Sequence, residues 1–319
     1  MRILITGAAG FIGQQLLADL AVQQPNWTLF AADIREIPAN LLRGNVHPLL
    51  LDISQRQAVL KAVAECQPQA IVHLASVVSP PPGMSEATLR AIDVDGTQAV
   101  VDAAAAHGVE QLIITSSGAA YGYYPENAEW IDEHDPLRGH NKFAYARHKR
   151  EVEELLVQAR ITHPQLRQLI LRPGTILGKR VNNQITDMFK KPVVLGIQDS
   201  DSRFVFIWDQ DVVRIIRKGL ECGTAGTYNL AGDGALSLRE IAQILRKPYL
   251  PLPAGLLQGA LRLLKPLGLS QYGPEQVDFL RYRPVLANRR LKEEFGYTPR
   301  FTSREAFVAF LDAQGVVHA

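Results

Sequence analysis

The first 172 residues alternate short, almost wholly apolar runs with longer stretches whose apolar residues recur at helical spacing. Apolar runs of this length are typical of strands that are covered on both faces, and their alternation with helices predicts βαβ units and a parallel sheet. The predicted fold class is therefore α/β with a doubly wound parallel sheet. Six strands are predicted, over Arg2 to Ile5, Thr28 to Ala32, Val46 to Leu51, Ala70 to Leu74, Gln111 to Thr115 and Leu166 to Leu171.

After Arg172 the alternation loosens, and the predicted elements become shorter. They are strands over Phe204 to Trp208 and Tyr228 to Leu230, and a helix over Leu238 to Leu245. The pattern predicts a first domain over 1–172 and a smaller lobe over 173–319, with some segments of the second range returning to the main sheet.

One strongly apolar stretch, Leu252 to Leu269, contains Arg262, Lys265, Pro253 and Pro266. These residues leave it short of the roughly 18 clean apolar residues that a spanning helix needs. We expect a buried or substrate-covering helix here rather than membrane contact.

Composition narrows the class of protein. The chain has 319 residues, 47% of them hydrophobic, with 34 Lys+Arg against 32 Asp+Glu and no dense basic run, so we expect no nucleic-acid partner. Cys66 and Cys222 are far apart and no secretory segment precedes the first strand, which favours a soluble cytoplasmic protein. The eight histidines lack metal-ligand spacing, and no metal is expected.

A glycine-rich turn follows the first strand and opens a helix that runs to about Val22. Its sequence, Thr6 to Gly13, has the spacing G-x-x-G-x-x-G rather than the commoner G-x-G-x-x-G. Glycines at Gly7, Gly10 and Gly13 let backbone N–H groups approach a pyrophosphate at the helix N-terminus. An ordinary glycine-rich turn would give the same pattern, so a carboxylate at the end of the second strand is needed to distinguish the two.

Asp33 ends the second strand, 20 residues after Gly13, where a carboxylate accepts hydrogen bonds from the adenosine ribose hydroxyls. Its charge would repel a 2′-phosphate, which favours NAD, although Arg35 leaves NADP open. Asp52, after the third strand, either reaches the adenine amino group or serves as a helix N-cap before Ser54.

Tyr145 and Lys149 are four residues apart in a helical pattern and share one face. A nearby ammonium favours the phenolate, and lowering a phenol pKa from about 10 by about three units takes about 4 kcal/mol. The Y-x-x-x-K pattern is weak by itself, but Ser117 ends the fifth strand 28 residues earlier, at the edge where open α/β sheets bind ligands. Its hydroxyl could hold a reacting oxygen.

Taken in order, the motifs make the chain similar to the extended short-chain dehydrogenase/reductases, the branch that contains nucleotide-sugar epimerases and dehydratases. The matching segments are Thr6 to Gly13, Asp52-Ile53, His73-Leu74-Ala75, Val94 to Thr97, Ser117 to Gly122, Tyr145 to Lys149, Arg172-Pro173, Tyr228 to Leu230 and Ser237 to Ile241. The resemblance implies a Rossmann-type NAD-binding domain over 1–172 and a substrate-binding lobe mainly over 173–319.

The resemblance also implies residue roles. Tyr145 would be the general acid/base, Lys149 would bind the nicotinamide ribose and lower the pKa of Tyr145, and Ser117, or its neighbour Ser116, would orient the substrate oxygen. His73 would pack beside the cofactor, and a homodimer would form through the helices over 86–107 and 143–158. The cofactor-binding set would be Gly7, Gly10, Phe11, Ile12, Gly13, Asp33, Asp52, Ile53, Leu74, Ala75, Tyr145, Lys149 and Pro173.

The chain departs from the family pattern near the reacting groups. Gly118 and Ala119 stand where family dehydratases carry an acidic pair, which disfavours dehydration. Asp93 replaces the usual asparagine, either tuning the site or capping the following helix.

Departures also occur at the substrate positions. Arg203 lies about one place out of register with the family's diphosphate arginine, and Trp208 stands where histidine is usual. Lys179, Arg180, Lys190 or Lys191 could replace Arg203 as phosphate contacts or be solvated charges. Another set would form either an apolar pocket wall or core, namely Met84, Pro80-Pro81-Pro82, Met188, Phe189, Phe206 and Trp208.

The sequence thus predicts an NAD(H)-dependent enzyme that transfers hydride reversibly at a secondary alcohol or ketone of a small-molecule substrate. Two activities stay open within this class. One is epimerisation of a nucleotide sugar, and the other is net oxidation or reduction of a hydrophobic hydroxyl or keto compound, sterol-like or acyl. A non-catalytic NAD-sensing regulator is the alternative from another class.

Overall fold

A computed structural model of the chain describes residues 1–81, 83–198, 200–267 and 273–318. Two compact units are present. Unit 1 comprises 1–117, 147–172 and 209–228, and unit 2 comprises 118–146, 173–208 and 229–319. Each unit therefore contains three separate ranges of the chain, whereas the predicted domains were the two consecutive ranges 1–172 and 173–319 with some returning segments.

Thirteen strands occur in the described residues: β1 (Arg2–Thr6), β2 (Thr28–Asp33), β3 (Val46–Leu50), β4 (Ala70–His73), β5 (Gln111–Thr115), β6 (Arg167–Pro173), β7 (Thr175–Leu177), β8 (Val194–Ile197), β9 (Arg203–Phe204), β10 (Phe206–Trp208), β11 (Gly226–Leu230), β12 (Leu236–Ser237) and β13 (Tyr249–Leu252). Seven form the central sheet, in the order β11-β6-β5-β4-β1-β2-β3. Strands β1 to β6 pair in parallel, which confirms the doubly wound α/β sheet.

Twelve α-helices connect the strands in the described residues: α1 (Phe11–Gln23), α2 (Arg56–Cys66), α3 (Glu86–Arg90), α4 (Gly96–Ala106), α5 (Ala144–Thr162), α6 (Gln184–Lys190), α7 (Asp209–Cys222), α8 (Leu238–Ile244), α9 (Ala254–Leu264), α10 (Gln276–Arg281), α11 (Arg289–Glu293) and α12 (Ser303–Ala313). A π-helical turn, Ala91–Asp95, joins α3 to α4. Short 3₁₀ turns cover Ala39–Leu41 and Gly118–Tyr121.

The core of unit 1 explains the apolar strands. Leu4, Ile71 and Ile114 of three neighbouring strands are at most 1% exposed and pack with Val100 of α4 and Leu156 of α5. Strand β1 pairs with β2 on one side and with β4 on the other. The strands after β3 are therefore added on the opposite side of β1, and the order of strands reverses there. Such a switch point is where open α/β sheets bind ligands.

Unit 2 is built from short strand pairs, β7 with β10, β9 with β12 and β8 with β13. An aromatic cluster packs within it. Phe206 stacks on Phe307 at 5.4 Å between ring centroids, and Phe189 meets Phe307 edge-on at 5.0 Å. Phe189 and Phe206 are thus buried core residues, as the second of the two predicted alternatives has it. Pro82, of the predicted proline turn, lies outside the described residues.

The apolar stretch over Leu252 to Leu269 forms α9, but no residue of this helix is buried, so the expectation of a buried helix is wrong. Its leucines are exposed because only one side of the helix meets the rest of unit 2. Gly268 and Leu269, at the end of the stretch, lie outside the described residues. No helix within the described ranges combines the length and apolarity needed to cross a bilayer.

Candidate active site

The turn between β1 and α1 requires glycine at two positions, because a Cβ at either would clash with the backbone. Gly7 has φ +71°, and a Cβ there would lie 2.6 Å from the backbone N of Ala75 and 2.7 Å from the carbonyl carbon of Leu74. A Cβ on Gly13 would lie 2.7 Å from the Cα of Ala8 and would also meet the carbonyl oxygen of Gly7. Only glycine fits at both positions, so the backbone can come close to a ligand at the start of α1. This cradle suits a dinucleotide pyrophosphate.

Asp33 is fixed against the turn. Its Oδ2 accepts a hydrogen bond from the Ala9 backbone N–H at 3.0 Å, and its Oδ1 accepts from the backbone N–H (3.0 Å) and Nε (3.2 Å) of Arg35. The Asp33 side chain is 5% exposed, whereas that of Arg35 is 63% exposed. The exposed Arg35 therefore lies beside a buried Asp33 carboxylate at the end of β2.

Asp52 is engaged locally. Its Oδ1 accepts from the backbone N–H and Oγ–H of Ser54, at 2.9 and 2.7 Å. Helix α2 begins two residues later, with Gln55 at its N-cap. Asp52 thus closes a turn ahead of the helix, and the prediction that it is the helix N-cap is wrong, because α2 begins after Gln55. Ile53, next in the chain, is buried.

His73 is a buried connector between two hydroxyls. Its Nδ1 lies 2.7 Å from Thr6 Oγ1, and its Nε2 lies 3.0 Å from Thr97 Oγ1. Burial, with a smaller contribution from Lys149, lowers the pKa of His73 to about 3. A neutral imidazole that links β1 and β4 to α4 is a structural element, and its packing beside the cofactor stays a prediction.

Lys149 is a buried cation of unit 1. Its Nζ donates to the carbonyl oxygen of Thr115, the last residue of β5, at 3.1 Å. Burial lowers the pKa of Lys149, and the carboxylates of Asp93 and Glu153 oppose this by raising it. Helix α5 carries Tyr145 one turn before Lys149, so both side chains leave the helix on the same face.

Glu153, four residues after Lys149 on α5, separates the roles of the two serines. It accepts from Ser116 Oγ at 2.5 Å and from both Nε (2.9 Å) and Nη2 (2.6 Å) of Arg172. Ser116 is therefore committed to a buried ionic network. The sequence motifs did not mark Glu153, although its i,i+4 spacing from Lys149 was a signal. Ser117 follows directly and precedes the 3₁₀ turn at Gly118.

Asp93 does not cap a helix, because the π-helical turn that contains it continues into α4. Its Oδ1 accepts from Ser76 Oγ (2.9 Å) and from the Val77 backbone N–H (3.0 Å). Its Oδ2 lies 3.6 Å from Nδ1 of His148, and both side chains are almost fully buried. Neither ring nitrogen of His148 has a hydrogen-bond partner among the described residues. No sequence motif singled out His148.

In unit 2, Arg203 is already paired. Its Nη2 lies 2.9 Å from Glu129 Oε1, and its Nε lies 3.7 Å from Asp201. Lys190 likewise pairs with Asp187 at 2.8 Å. The arginine that the sequence led us to expect at the diphosphate is thus held by exposed carboxylates.

A different arginine of unit 2 stands out. The Arg283 guanidinium lies 4.1 Å from the ring centroid of Phe204 and 4.5 Å from that of Phe279. Its Nη2 reaches Thr175 Oγ1 at 3.3 Å, but the buried Nε and Nη1 have no hydrogen-bond partner among the described residues. Burial lowers the pKa of Arg283 to about 10. A buried cation with two unmet donors is costly without an anion, and no sequence motif marked it.

Tyr123 lies near this group. Its ring meets those of Phe143 and Phe279 edge-on, each at 5.1 Å between centroids. Burial raises the pKa of Tyr123 to about 12, although the Arg283 charge opposes the rise. Tyr123 therefore stays protonated at neutral pH.

The doubly wound sheet and its glycine cradle define a dinucleotide-binding enzyme. The chain belongs to the NAD dependent epimerase/dehydratase family, whose model matches residues 3–231. NAD is accordingly the cofactor, and the protein is an NAD-dependent enzyme of the extended short-chain dehydrogenase/reductase class. The cradle fits this cofactor, because Gly7 and Gly13 let the backbone of the turn pack closely at the start of α1, where N–H groups can approach a pyrophosphate.

Relatives carry different activities. The chain is 27% identical, over 81% of its length and 78% of the relative, to the N-acetyl-alpha-D-glucosaminyl-diphospho-ditrans,octacis-undecaprenol 4-epimerase of Escherichia coli O157:H7. It is 24% identical, over 93% of each chain, to the decarboxylating sterol-4-alpha-carboxylate 3-dehydrogenase of Candida albicans. Among solved structures, the UDP-glucose 4-epimerase of Thermus thermophilus with NAD is similar in fold, with TM-score 0.75, 22% identity and coverage of 99% of this chain and 100% of that one.

Proposed function

We propose that Ser117, Tyr145 and Lys149 form the catalytic group for reversible hydride transfer at a secondary alcohol or ketone. The observation that carries this assignment is the bond from Lys149 Nζ to the carbonyl oxygen of Thr115, two residues before Ser117. It anchors the ammonium at the end of β5, while Tyr145 leaves the same face of α5 one turn earlier. Glu153 occupies Ser116, which supports Ser117 as the hydroxyl for substrate.

Each group has a distinct task in the proposed reaction. The Ser117 hydroxyl donates to the substrate oxygen and holds it in place. The Tyr145 phenolate removes the proton of the alcohol, or the phenol returns it to the ketone, and the Lys149 ammonium stabilises the phenolate. NAD, when bound, would supply the acceptor or the donor of the hydride. Asp93 stands where the family usually has asparagine, and its negative charge helps to keep Lys149 protonated.

The cofactor contacts are part of the proposal. The backbone of the turn at Gly7, Gly10, Phe11, Ile12 and Gly13 would bind the pyrophosphate, and Asp33 the adenosine ribose. The remaining proposed contacts of NAD are Asp52, Ile53, Leu74, Ala75, Tyr145, Lys149 and Pro173.

Removing the Tyr145 hydroxyl tests the catalytic assignment. Tyr145→Phe should lower kcat by about 10²- to 10⁴-fold, the range for loss of a general acid/base. NAD affinity, measured by calorimetry, should change little, because the ring remains. Tyr297→Phe, outside the proposed group, is the matched control. Full activity of Tyr145→Phe on an identified substrate would refute the assignment, and turnover of no hydroxyl compound would favour an NAD-sensing regulator.

We favour a substrate that carries an anionic group, and epimerisation of a nucleotide sugar as the activity. Arg283 supports this choice, because its unmet Nε and Nη1 donors match the oxygens of a phosphate or carboxylate. Net oxidation or reduction of a sterol-like or acyl compound is the second candidate, favoured by the similarity to the Candida albicans sterol dehydrogenase along 93% of this chain. Screening both compound classes for net reduction of added NAD separates them, since an epimerase consumes no cofactor.

Dehydration is disfavoured on steric as well as chemical grounds. A side chain at Gly118 would lie 2.9 Å from the Leu286 side chain, so an acidic residue does not fit there without movement. Gly118 and Ala119 offer no acid or base for eliminating water.

We further propose a homodimer formed through the helices over 86–107 and 143–158, and a cytoplasmic location. The dimer follows from the family resemblance, and the location follows from the two widely separated cysteines, Cys66 and Cys222. Sedimentation of the purified protein tests the first, and cell fractionation tests the second.

A further inference from the structure

Helix α9 shows leucines where a surface helix usually shows polar residues. Leu256 and Leu263 are 63% and 70% exposed, and Leu267, just beyond the helix, is 69% exposed. The spacing of seven residues places Leu256 and Leu263 on one side of α9, and Leu267 lies in the turn that follows the C-cap Lys265. We call these three residues the leucine face. The opposite side, which includes Leu257 and Leu261, is only half-exposed.

The adjoining strand pair extends this apolar character. Leu195 of β8 and Leu250 of β13 are register partners, 42% and 47% exposed. Strand β13 ends at Leu252, and only Pro253 separates it from α9. Exposed leucines of this number in one part of a chain are more than scattered surface residues.

The charge of the same segment is one-sided. Residues 241–274 contain four basic residues and no acidic one, the basic ones being Arg246, Lys247, Arg262 and Lys265. Lys265 pairs with Glu275 at 3.1 Å, and Lys247 donates to the Phe189 carbonyl oxygen. Arg246 and Arg262 have no ion pair within the described residues, so both positive charges are available to bind an anionic partner.

We propose that α9 is an interfacial helix that docks the protein on the surface of an anionic lipid bilayer. Leucines would enter the boundary between headgroups and acyl chains, and arginines beside them would meet lipid phosphates. With 11 residues the helix is too short to span, so it would lie in the plane of the surface. The sequence predicted no membrane partner because it could not reveal that these leucines are left uncovered.

The test is co-sedimentation of the full-length protein with vesicles of phosphatidylcholine containing phosphatidylglycerol. We expect binding that weakens as salt rises and that falls at least tenfold in the Leu256→Asp/Leu263→Asp variant. Arg262→Glu should weaken it by more than the roughly fivefold expected for loss of one charge, because it also adds a repulsive one. Val317→Asp is the matched control, since Val317 is 78% exposed outside the segment.

The remaining outcomes would overturn the proposal. They are no binding by the unaltered protein, equal binding to pure phosphatidylcholine, or equal binding by the double variant. A change of oligomeric mass in the double variant without vesicle binding would instead identify the leucine face as a contact between two copies of the chain. If the aspartates impair folding, judged by thermal unfolding, Leu256→Ser/Leu263→Ser gives the same comparison. NAD binding should be unaffected throughout, so failure here leaves the proposed chemistry standing.

Discussion

Two adjacent serines at the end of β5 differ in what they can do because of one carboxylate. Glu153 accepts from Ser116 and from Arg172, and all three are buried. A hydroxyl held in such a network contributes to stability but has little freedom to orient a substrate. The sequence named both serines; it favoured Ser117 by its place before the Gly-Ala-Ala-Tyr-Gly run, and it could not see the bond that occupies Ser116.

Alanine substitution should therefore affect catalysis at one serine and stability at the other. Ser117→Ala should lower kcat/KM by about 10²-fold with little change in thermal stability, because a donor to the reacting oxygen is lost. Ser116→Ala should leave kcat/KM nearly unchanged and lower the free energy of unfolding by about 1–3 kcal/mol, because Glu153 loses a buried partner. Steady-state kinetics and urea unfolding measure the two effects. The reverse pattern would move the substrate contact to Ser116.

The charge of Asp93 should set the alkaline limit of activity. Burial lowers the pKa of Lys149, and Asp93 raises it. Asp93→Asn keeps an oxygen for Ser76 and Val77 but removes the charge, so Lys149 should lose its proton at lower pH. We expect the alkaline limb of the kcat profile to move down by about one pH unit.

Asp95→Asn is the matched control, because Asp95 is exposed and pairs with Arg90 at the surface. Its profile should overlay that of the unaltered enzyme. If the Asp93→Asn limb stays in place, Asp93 serves only to hold the loop at Ser76 and Val77.

At the scale of single residues, motif positions were predictable and buried partners were not. Gly7, Asp33 and Lys149 stand at fixed places relative to strands, so their surroundings follow from the order of elements. His148 and Arg283 belong to no motif. Their importance arises from burial without hydrogen bonds, which depends on segments distant in sequence.

At the scale of elements, the strands were predicted closely because a two-sided sheet demands continuous apolar runs. The predicted Gln111 to Thr115 agrees with β5 at both ends, and the other five strands end within two residues of prediction. The helical run over 86–107 was predicted without its π-helical turn at Ala91–Asp95. Helix α9 was placed well, but apolarity alone does not say whether a helix is covered.

The β1–α1 turn allows a test at this scale. Gly13→Ala puts a Cβ against the backbone of Gly7 and Ala8, so α1 must shift away from the turn. We expect the Kd for NAD to rise at least tenfold, because the N–H groups at the helix start would no longer converge on the pyrophosphate. Gly44→Ala, where a Cβ has open space, should bind NAD normally. Unchanged affinity of Gly13→Ala would remove the turn from the cofactor site.

At the scale of the whole molecule, the division into units was the hardest feature to foresee. Residues 118–146 belong to unit 2 although they follow β5, and α7 returns the chain to unit 1. Both transfers occur inside stretches with ordinary helix and loop composition. Apolar periodicity predicts which face of a helix or strand is buried, but it does not predict which other element packs against that face.

The proposed dimer provides the remaining prediction. In unit 1, Arg90 lies 3.3 Å from Glu151 and Arg147 contacts Glu86, so α3 and α5 are linked side by side. Val157 and Ile161, one turn apart on α5, are 44% and 71% exposed. We expect the 35.2 kDa chain to sediment as a dimer at micromolar concentration.

Val157→Asp/Ile161→Asp should raise the dimer dissociation constant at least tenfold, because charges would then be buried between the subunits. Val317→Asp, at a position that is 78% exposed and not part of these helices, should sediment like the unaltered protein. A monomer at micromolar concentration would exclude the dimer. A dimer that persists in the α5 variant but separates in the Leu256→Asp/Leu263→Asp variant would place the contact on α9, and would decide between the two exposed apolar faces as the surface where copies of the chain meet.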